Sequence, residues 1–152
     1  MIYIGIDPGS SSGAISCLSE DYQPYMPPYE MGKGTIKDMY LYLKDISSMD
    51  QTQCVLERVN VHPNTAVNAA STFMKNVGHI EMALVSLDIP YVEPTPMRWM
   101  KHFGMKKDES ESKTEWKRRL RELAEKRLGI KTKATTADAY LLALYGIETL
   151  NK

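Results

Sequence analysis

Ile2-Tyr3-Ile4-Gly5-Ile6-Asp7-Pro8-Gly9-Ser10-Ser11-Ser12-Gly13-Ala14-Ile15-Ser16-Cys17-Leu18 contains two apolar, β-branched runs separated by a short Gly/Ser segment. Ile2 to Ile6 has strand character, and Asp7-Pro8-Gly9-Ser10 is turn chemistry. From Gly13 to Leu18 the strand pattern resumes. The stretch predicts a β-hairpin with a carboxylate, Asp7, where the first strand gives way to the turn. Asp-Pro-Gly suits a turn whatever the function, so Asp7 has both a structural and a chemical reading.

Outward from this hairpin, Tyr22 to Met31 carries three prolines and predicts an irregular third edge strand. Thr35 is placed to cap a helix in which Ile36, Met39, Tyr40, Leu43 and Ile46 recur at helical spacing. Gln53-Cys54-Val55-Leu56-Glu57 reads as a short buried strand ending in a second carboxylate. Asn64 to Leu87 has helical period with apolar residues on more than one side. Such a helix needs cover beyond its own sheet. A two-fold partner packed on Phe73, Met74, Val77 and Ile80 is the expected cover, making the protein a homodimer. Ile89 to Val92 is a further strand, and Pro96 opens a short helix running through Trp99 and Phe103. Gly104 to Ser112 reads as a polar loop. Lys113 to Leu128 is a basic amphipathic helix closed by Gly129, and Thr135 or Thr136 caps the last helix. Strands first form a meander and then alternate with helices, the order of an α/β domain with a mixed sheet. Residues 1–152 are expected to form a single domain.

Composition excludes several classes. Hydrophobic residues make up 43% and charged residues 25%, and no segment approaches the roughly 18 consecutive apolar residues of a membrane span. The N-terminus lacks a basic region followed by a long apolar stretch, so a secretory signal is not expected and a cytoplasmic location is. Cys17 and Cys54 lie in or beside strand-like runs, where free thiols act as small buried hydrophobes. The 19 basic and 19 acidic residues cancel, but the basic ones gather between Lys101 and Lys133. That run fits either a phosphate-binding surface or a solvated helical face balanced by its own acidic residues.

Asp7 and Glu57 each end an apolar strand, and Asp138 stands in the first turn of the apolar helix Ala137-Asp138-Ala139-Tyr140-Leu141-Leu142. Carboxylates brought together at the ends of buried elements repel one another, and burial adds a desolvation cost. A divalent cation relieves both. Hard oxygen ligands suit Mg²⁺ or Mn²⁺, and two such ions about 4 Å apart activate a water and stabilise the leaving oxygen in phosphodiester cleavage. Each residue also has a bland alternative: Asp138 favours a helix dipole, Asp7 forms a turn, and Glu57 pairs with a cation such as Arg58.

Ile4-Gly5-Ile6-Asp7-Pro8-Gly9 with Ser12-Gly13-Ala14, then Val55-Leu56-Glu57-Arg58-Val59, resembles the first and the Glu-bearing strands of the RuvC family of Holliday-junction resolvases. Ser71, Phe73, Lys75-Asn76-Val77-Gly78, Ile89-Pro90-Tyr91-Val92-Glu93-Pro94 and Arg98-Trp99-Met100-Lys101 resemble that family's long helix, following strand and short helix. Lys113 to Leu128 resembles its basic helix, and Ala137-Asp138-Ala139 its closing Asp. The resemblance is in order and spans nearly the whole chain. It implies a ribonuclease H-like fold with a mixed five-stranded sheet flanked by helices. It also implies Asp7, Glu57 and Asp138 as catalytic metal ligands, two Mg²⁺ or Mn²⁺ ions per site, and cleavage of four-way or other branched DNA by paired cuts. Lys101, Lys106, Lys107, Lys113, Lys117, Arg118 and Arg121 are the expected phosphate contacts, with Asn60 and His62 reaching DNA from the loop after Glu57.

Two departures stand out. Where the family usually carries a fourth acidic residue or histidine one turn before the last Asp, this chain has Thr135, which would act through a water. Where the family places an aromatic residue after the Glu, the segment here is Asn60-Val61-His62-Pro63. Alternatives are a ribosomal-RNA-processing nuclease of similar fold and a non-catalytic junction-binding module. The Gly5-to-Gly13 stretch also resembles the first phosphate loop of sugar kinases and actin-like ATPases, but those enzymes need a second such loop and more chain. Trp99 and Trp116 read as packing residues.

Overall fold

Alternation along a strand sends successive side chains to opposite faces, so Ile2, Ile4 and Ile6 share one face and Tyr3, Gly5 and Asp7 the other. In the computed structural model, which describes residues 1–150, both faces are covered. The elements in chain order are β1 (Ile2–Asp7), β2 (Ala14–Ser19), β3 (Tyr29–Glu30), a 3-10 turn (Met31–Lys33), α1 (Ile36–Met49), β4 (Thr52–Leu56), α2 (Val67–Ser86), β5 (Tyr91–Val92), α3 (Pro96–His102), α4 (Lys113–Leu128) and α5 (Ala137–Leu150). They build one five-stranded sheet in the order β3-β2-β1-β4-β5. β1 and β3 flank β2 antiparallel, while β4 runs parallel to both β1 and β5. The sheet is mixed, as the sequence predicts. Asn151 and Lys152, the last residues of the expected domain, lie outside the described residues.

Ile2, Ile4 and Ile6 pack with Met39, Leu43 and Ile46 of α1 and Ile80, Ala83 and Leu84 of α2. Tyr3 and Val55 pack on the other face with Trp99 of α3, Trp116, Leu120 and Ala124 of α4, and most of α5. α5 lies against β1 so closely that a β-carbon at Gly5 would stand 2.0 Å from the Ala139 carbonyl oxygen and 2.4 Å from the Ala143 nitrogen. Glycine is therefore what allows helix backbone and strand backbone to meet. The contact holds the first turn of α5 over the carboxyl end of β1.

Thr35 caps α1 and Gly129, with φ of 67°, ends α4, both as expected; Asp38 completes a capping box with Thr35, and Ser112 and Glu115 form a second one on α4 that the sequence reading did not name. The Thr136 carbonyl accepts from the Tyr140 nitrogen at the start of α5, while its hydroxyl engages the Lys133 backbone. α2 begins at Val67 rather than Asn64, because residues 60–66 form an extended loop with a turn from His62 to Thr65. Among the described residues no helix is long and apolar enough to cross a membrane.

The expected dimer surface needs correction. Val77 is 6% exposed and Ile80 0%, both packed within the protomer, so neither awaits a partner. The side of α2 that faces solvent instead carries Met74 and Val67, 45% and 82% exposed, with Phe73 half-buried beside them. Helical period shows that apolar residues lie on two sides but not which side the sheet takes.

Candidate active site

Three carboxylates converge where β1, β4 and α5 meet. The β1/β4 register pairs Ile6 with Leu56, and the Glu57 nitrogen extends the ladder by donating to the Ile6 carbonyl at 3.0 Å. Val55 packs on the α5 face, so Glu57, two residues on, shares that face with Asp7 on the neighbouring strand. Asp138 reaches the same place from the first turn of α5 and is 6% exposed.

Each carboxylate has a definite partner set. The Gly9 nitrogen donates to Asp7 Oδ1 at 3.3 Å, and the Trp99 indole Nε1 donates to Glu57 Oε1 at 2.9 Å. Lys117 Nζ donates to Asp138 Oδ2. Asp138 Oδ1 is buried and finds no hydrogen-bond partner among the described residues. Burial, then the charge of Asp138, pushes the Asp7 carboxyl up to about 6. Burial, then the charge of Asp7, pushes Glu57 up to about 7 against the pull of the Trp99 hydrogen bond. Burial works against the Lys117 ammonium, but Asp138, Asp7 and Glu57 together outweigh it and raise its pKa.

The site therefore holds three acids against one cation, in a place where ionisation is resisted by desolvation and repulsion. An orphaned, buried carboxylate oxygen on Asp138 and an all-oxygen donor set fit a hard divalent cation. In the conformation described, no three His, Cys, Asp or Glu side chains among the described residues already form a metal-holding group, and Lys117 neutralises Asp138 instead.

No family model and no curated protein matches the sequence. Solved structures do match in three dimensions. One is Thermus thermophilus RuvC in complex with a Holliday junction substrate, with a TM-score of 0.72 over 99% of this chain and 96% of that one, at 14% identity. A second structure of T. thermophilus RuvC matches with a TM-score of 0.65 at the same coverage and identity. The fold is that of RuvC.

RuvC has a ribonuclease H-like fold, and the mixed five-stranded sheet with its flanking helices is this chain's version of it. On that frame the residues expected to meet DNA separate into two groups. Lys101, Lys106, Lys107 and Lys113 are exposed and make no ion pair among the described residues. Asn60 and His62 are exposed in the loop after Glu57. Arg118 is exposed but lies 3.7 Å from Glu122. Arg121 is half-buried, with its Nε enclosed and unpartnered. Lys117 departs most from expectation. It belongs to the carboxylate cluster rather than to a free basic surface, because α4 packs on α5 with this residue facing Asp138. Much of the remaining basic run is also neutralised within the protein, by Arg119 on Glu111, Arg127 on Glu148, Lys131 on Glu125 and Lys133 on Glu30.

Thr135 does not turn a free hydroxyl toward the three acids, but donates it to Glu30 Oε2 at 3.3 Å. Glu30 went unread in the sequence, and Asn76 was read only as part of the long helix, whereas its Nδ2 donates to the Pro8 carbonyl at 2.9 Å and holds the loop behind Asp7. Trp99 packs as expected, fully buried, and also serves the site. A buried indole N–H needs an acceptor, and that was the available signal. Lys117 borders the Trp116-Leu120 stripe of its helix, a position that sequence alone does not distinguish from solvent.

Proposed function

We propose that this protein is a divalent-metal-dependent endonuclease that cuts branched DNA, with four-way junctions as its substrate. The observation that carries the reading is the meeting of Asp7, Glu57 and Asp138 on one sheet face, with a buried Asp138 oxygen left without a partner. The RuvC match adds support, since one of those structures holds a Holliday junction.

Asp7, Glu57 and Asp138 would hold Mg²⁺ or Mn²⁺, two ions per site, without Thr135, whose hydroxyl is engaged by Glu30. Bound ions of this kind supply an activated water and stabilise the leaving oxygen of a phosphodiester. The chain's own residues prepare the place. Trp99 fixes Glu57 through its indole N–H, and the Gly9 nitrogen orients Asp7. Asn76 secures the turn from behind. Lys117 pairs with Asp138 and would release its carboxylate to an ion. Lys101, Lys106, Lys107, Lys113 and Arg118 would hold backbone phosphates, and Asn60 and His62 would enter the junction centre. A homodimer through Met74, Val67 and Phe73 of α2 would present two such sites for paired cuts. A cytoplasmic location accords with two free, buried thiols.

The test is cleavage of a four-way junction, a linear duplex, a flap and an RNA of matched sequence, each with Mg²⁺ or Mn²⁺. Paired, metal-dependent nicks in the junction are expected. Preference for the RNA would move the reading to ribosomal-RNA processing. Junction binding without any cleavage would make the protein a non-catalytic binding module, a reading that the Lys117 contact with Asp138 favours.

A further inference from the structure

Arg118, Arg119 and Arg127 are ion-paired within the protein, which gives weight to two arginines that are not. Beyond Glu57, on the β5 side of the sheet, a hollow of about 350 Å³ is lined by Arg58, Arg98, Glu93, Pro94, Tyr145 and Thr149. Both guanidiniums are exposed, and neither forms an ion pair among the described residues. Glu93 lines the same hollow without pairing to either arginine, and its charge is felt by the Tyr91 hydroxyl. The backbone beneath both arginines is tied down. The Arg58 nitrogen donates to the Pro94 carbonyl at 2.9 Å, and the Arg98 nitrogen to the Thr95 carbonyl at 3.0 Å.

Their place in the chain is informative. Glu57 and Trp99 are joined by the hydrogen bond that positions the carboxylate, and Arg58 and Arg98 are the residues next to them. Two forked cations thus stand immediately beyond the Glu57 end of the acidic site, at the edge where β5, only two residues long, closes the sheet. A guanidinium presents a planar fork of donors that matches a phosphate, and a polyanion crossing the acids needs cations beside them to offset repulsion. The basic residues of α4 supply these on the Asp138 side.

We propose that Arg58 and Arg98 together form a phosphodiester-binding site that holds the cut strand where it leaves the active site across the β5 edge. The inference rests on the nuclease reading above and names a part of the DNA path that the basic C-terminal run does not cover.

The experiment measures junction binding by full-length protein in the absence of divalent metal, by fluorescence anisotropy across a salt series, followed by cleavage kinetics with Mg²⁺. Arg58→Ala with Arg98→Ala should flatten the dependence of log K on log salt by about two contacts' worth, near 0.9 each, and raise KM roughly tenfold. The turnover number at saturating DNA should stay within about threefold of wild type, because neither arginine touches the carboxylates. Lys37→Ala with Lys44→Ala, exposed on α1 over the opposite sheet face, should leave the slope unchanged. An unaltered slope in the arginine variant, with wild type binding normally, overturns this site alone. A fall in turnover with an unaltered slope also overturns it, since the arginines would then only support Glu57. Wild-type protein that binds no junction overturns both this site and the function on which it rests.

Discussion

At the scale of single residues, the carboxylates set against one another at the site make the metal-free protein sensitive to pH. Asp7 is raised to about 6 and Glu57 to about 7. For an acid, a folded-state pKa above the unfolded value means that the folded chain binds more protons through the interval between them. Stability therefore falls as pH rises from about 4 to about 7, and the loss is complete above that window. Calorimetry in chelator should show a melting temperature that declines from pH 5 to pH 8, and Glu57→Gln should flatten the decline and melt several degrees higher at pH 8. With Mg²⁺ or Mn²⁺ the order should reverse, since only the wild type gains from the ion, and the variant should not cut. An unchanged pH slope in Glu57→Gln would refute the assignment of strain to this cluster. Trp99→Phe keeps the packing but removes the N–H that steadies Glu57. Losing such a supporting contact should weaken metal affinity or cleavage by about 10–100-fold. It should also shift the acid limb of the cleavage profile to higher pH, because the intact hydrogen bond holds the Glu57 pKa down and its loss lets it rise. A profile that does not move would assign Trp99 to packing alone.

Elements carry the next level of the argument, because the site exists only where α5 rests on β1. Gly5→Ala would drive a methyl group into the backbone of Ala139 and Ala143, which side-chain repacking cannot relieve. Overpacking of this kind costs about 1–3 kcal/mol or more, and here the displaced element carries Asp138. Urea unfolding should show that loss, and calorimetric titration should show weakened metal binding even where the variant remains folded. Native-like titration in a folded Gly5→Ala protein would show that α5 can shift without moving the acid. α2 gives a contrasting test. Val77→Glu or Ile80→Glu buries a charge in the protomer core and should unfold it, whereas Met74→Glu alters the solvent side and should leave a folded chain.

For the whole molecule, the same Met74→Glu variant tests assembly. Light scattering of wild type should give twice the 17.2 kDa chain mass, and Met74→Glu should give the single-chain mass. A wild type that remains monomeric at micromolar concentration, with and without junction DNA, would remove the dimer. Charge must be judged at this scale too. Replacing Lys101, Lys106, Lys107 and Lys113 by Glu should lower affinity for DNA and flatten its salt dependence, because these cations form no ion pair among the described residues. Arg119→Ala should chiefly lower stability, because that guanidinium pairs with Glu111 and lies over the Trp116 ring.

How much of this was legible in the sequence follows from the range of the forces involved. Alternation, turn chemistry and caps act over a few residues, so Ile2–Asp7, the Gly9–Gly13 turn, Thr35, Ser112 and Gly129 set their local structures from sequence alone. Asp7, Glu57 and Asp138 each stood out because a carboxylate at the end of an apolar element is locally anomalous, but it was the resemblance to the RuvC family that joined them into a set. The other decisions depended on which surfaces meet. α2 presents apolar residues on two sides, and only docking assigned Val77 and Ile80 to the sheet and Met74 to solvent. Lys117 resembles its basic neighbours until α4 lies against α5 and turns it onto Asp138. Glu30 finds Lys133 and Thr135 more than a hundred residues away. Periodicity fixes what a helix can bury, but packing between distant segments determines what it does bury, and with that which charges remain for a ligand.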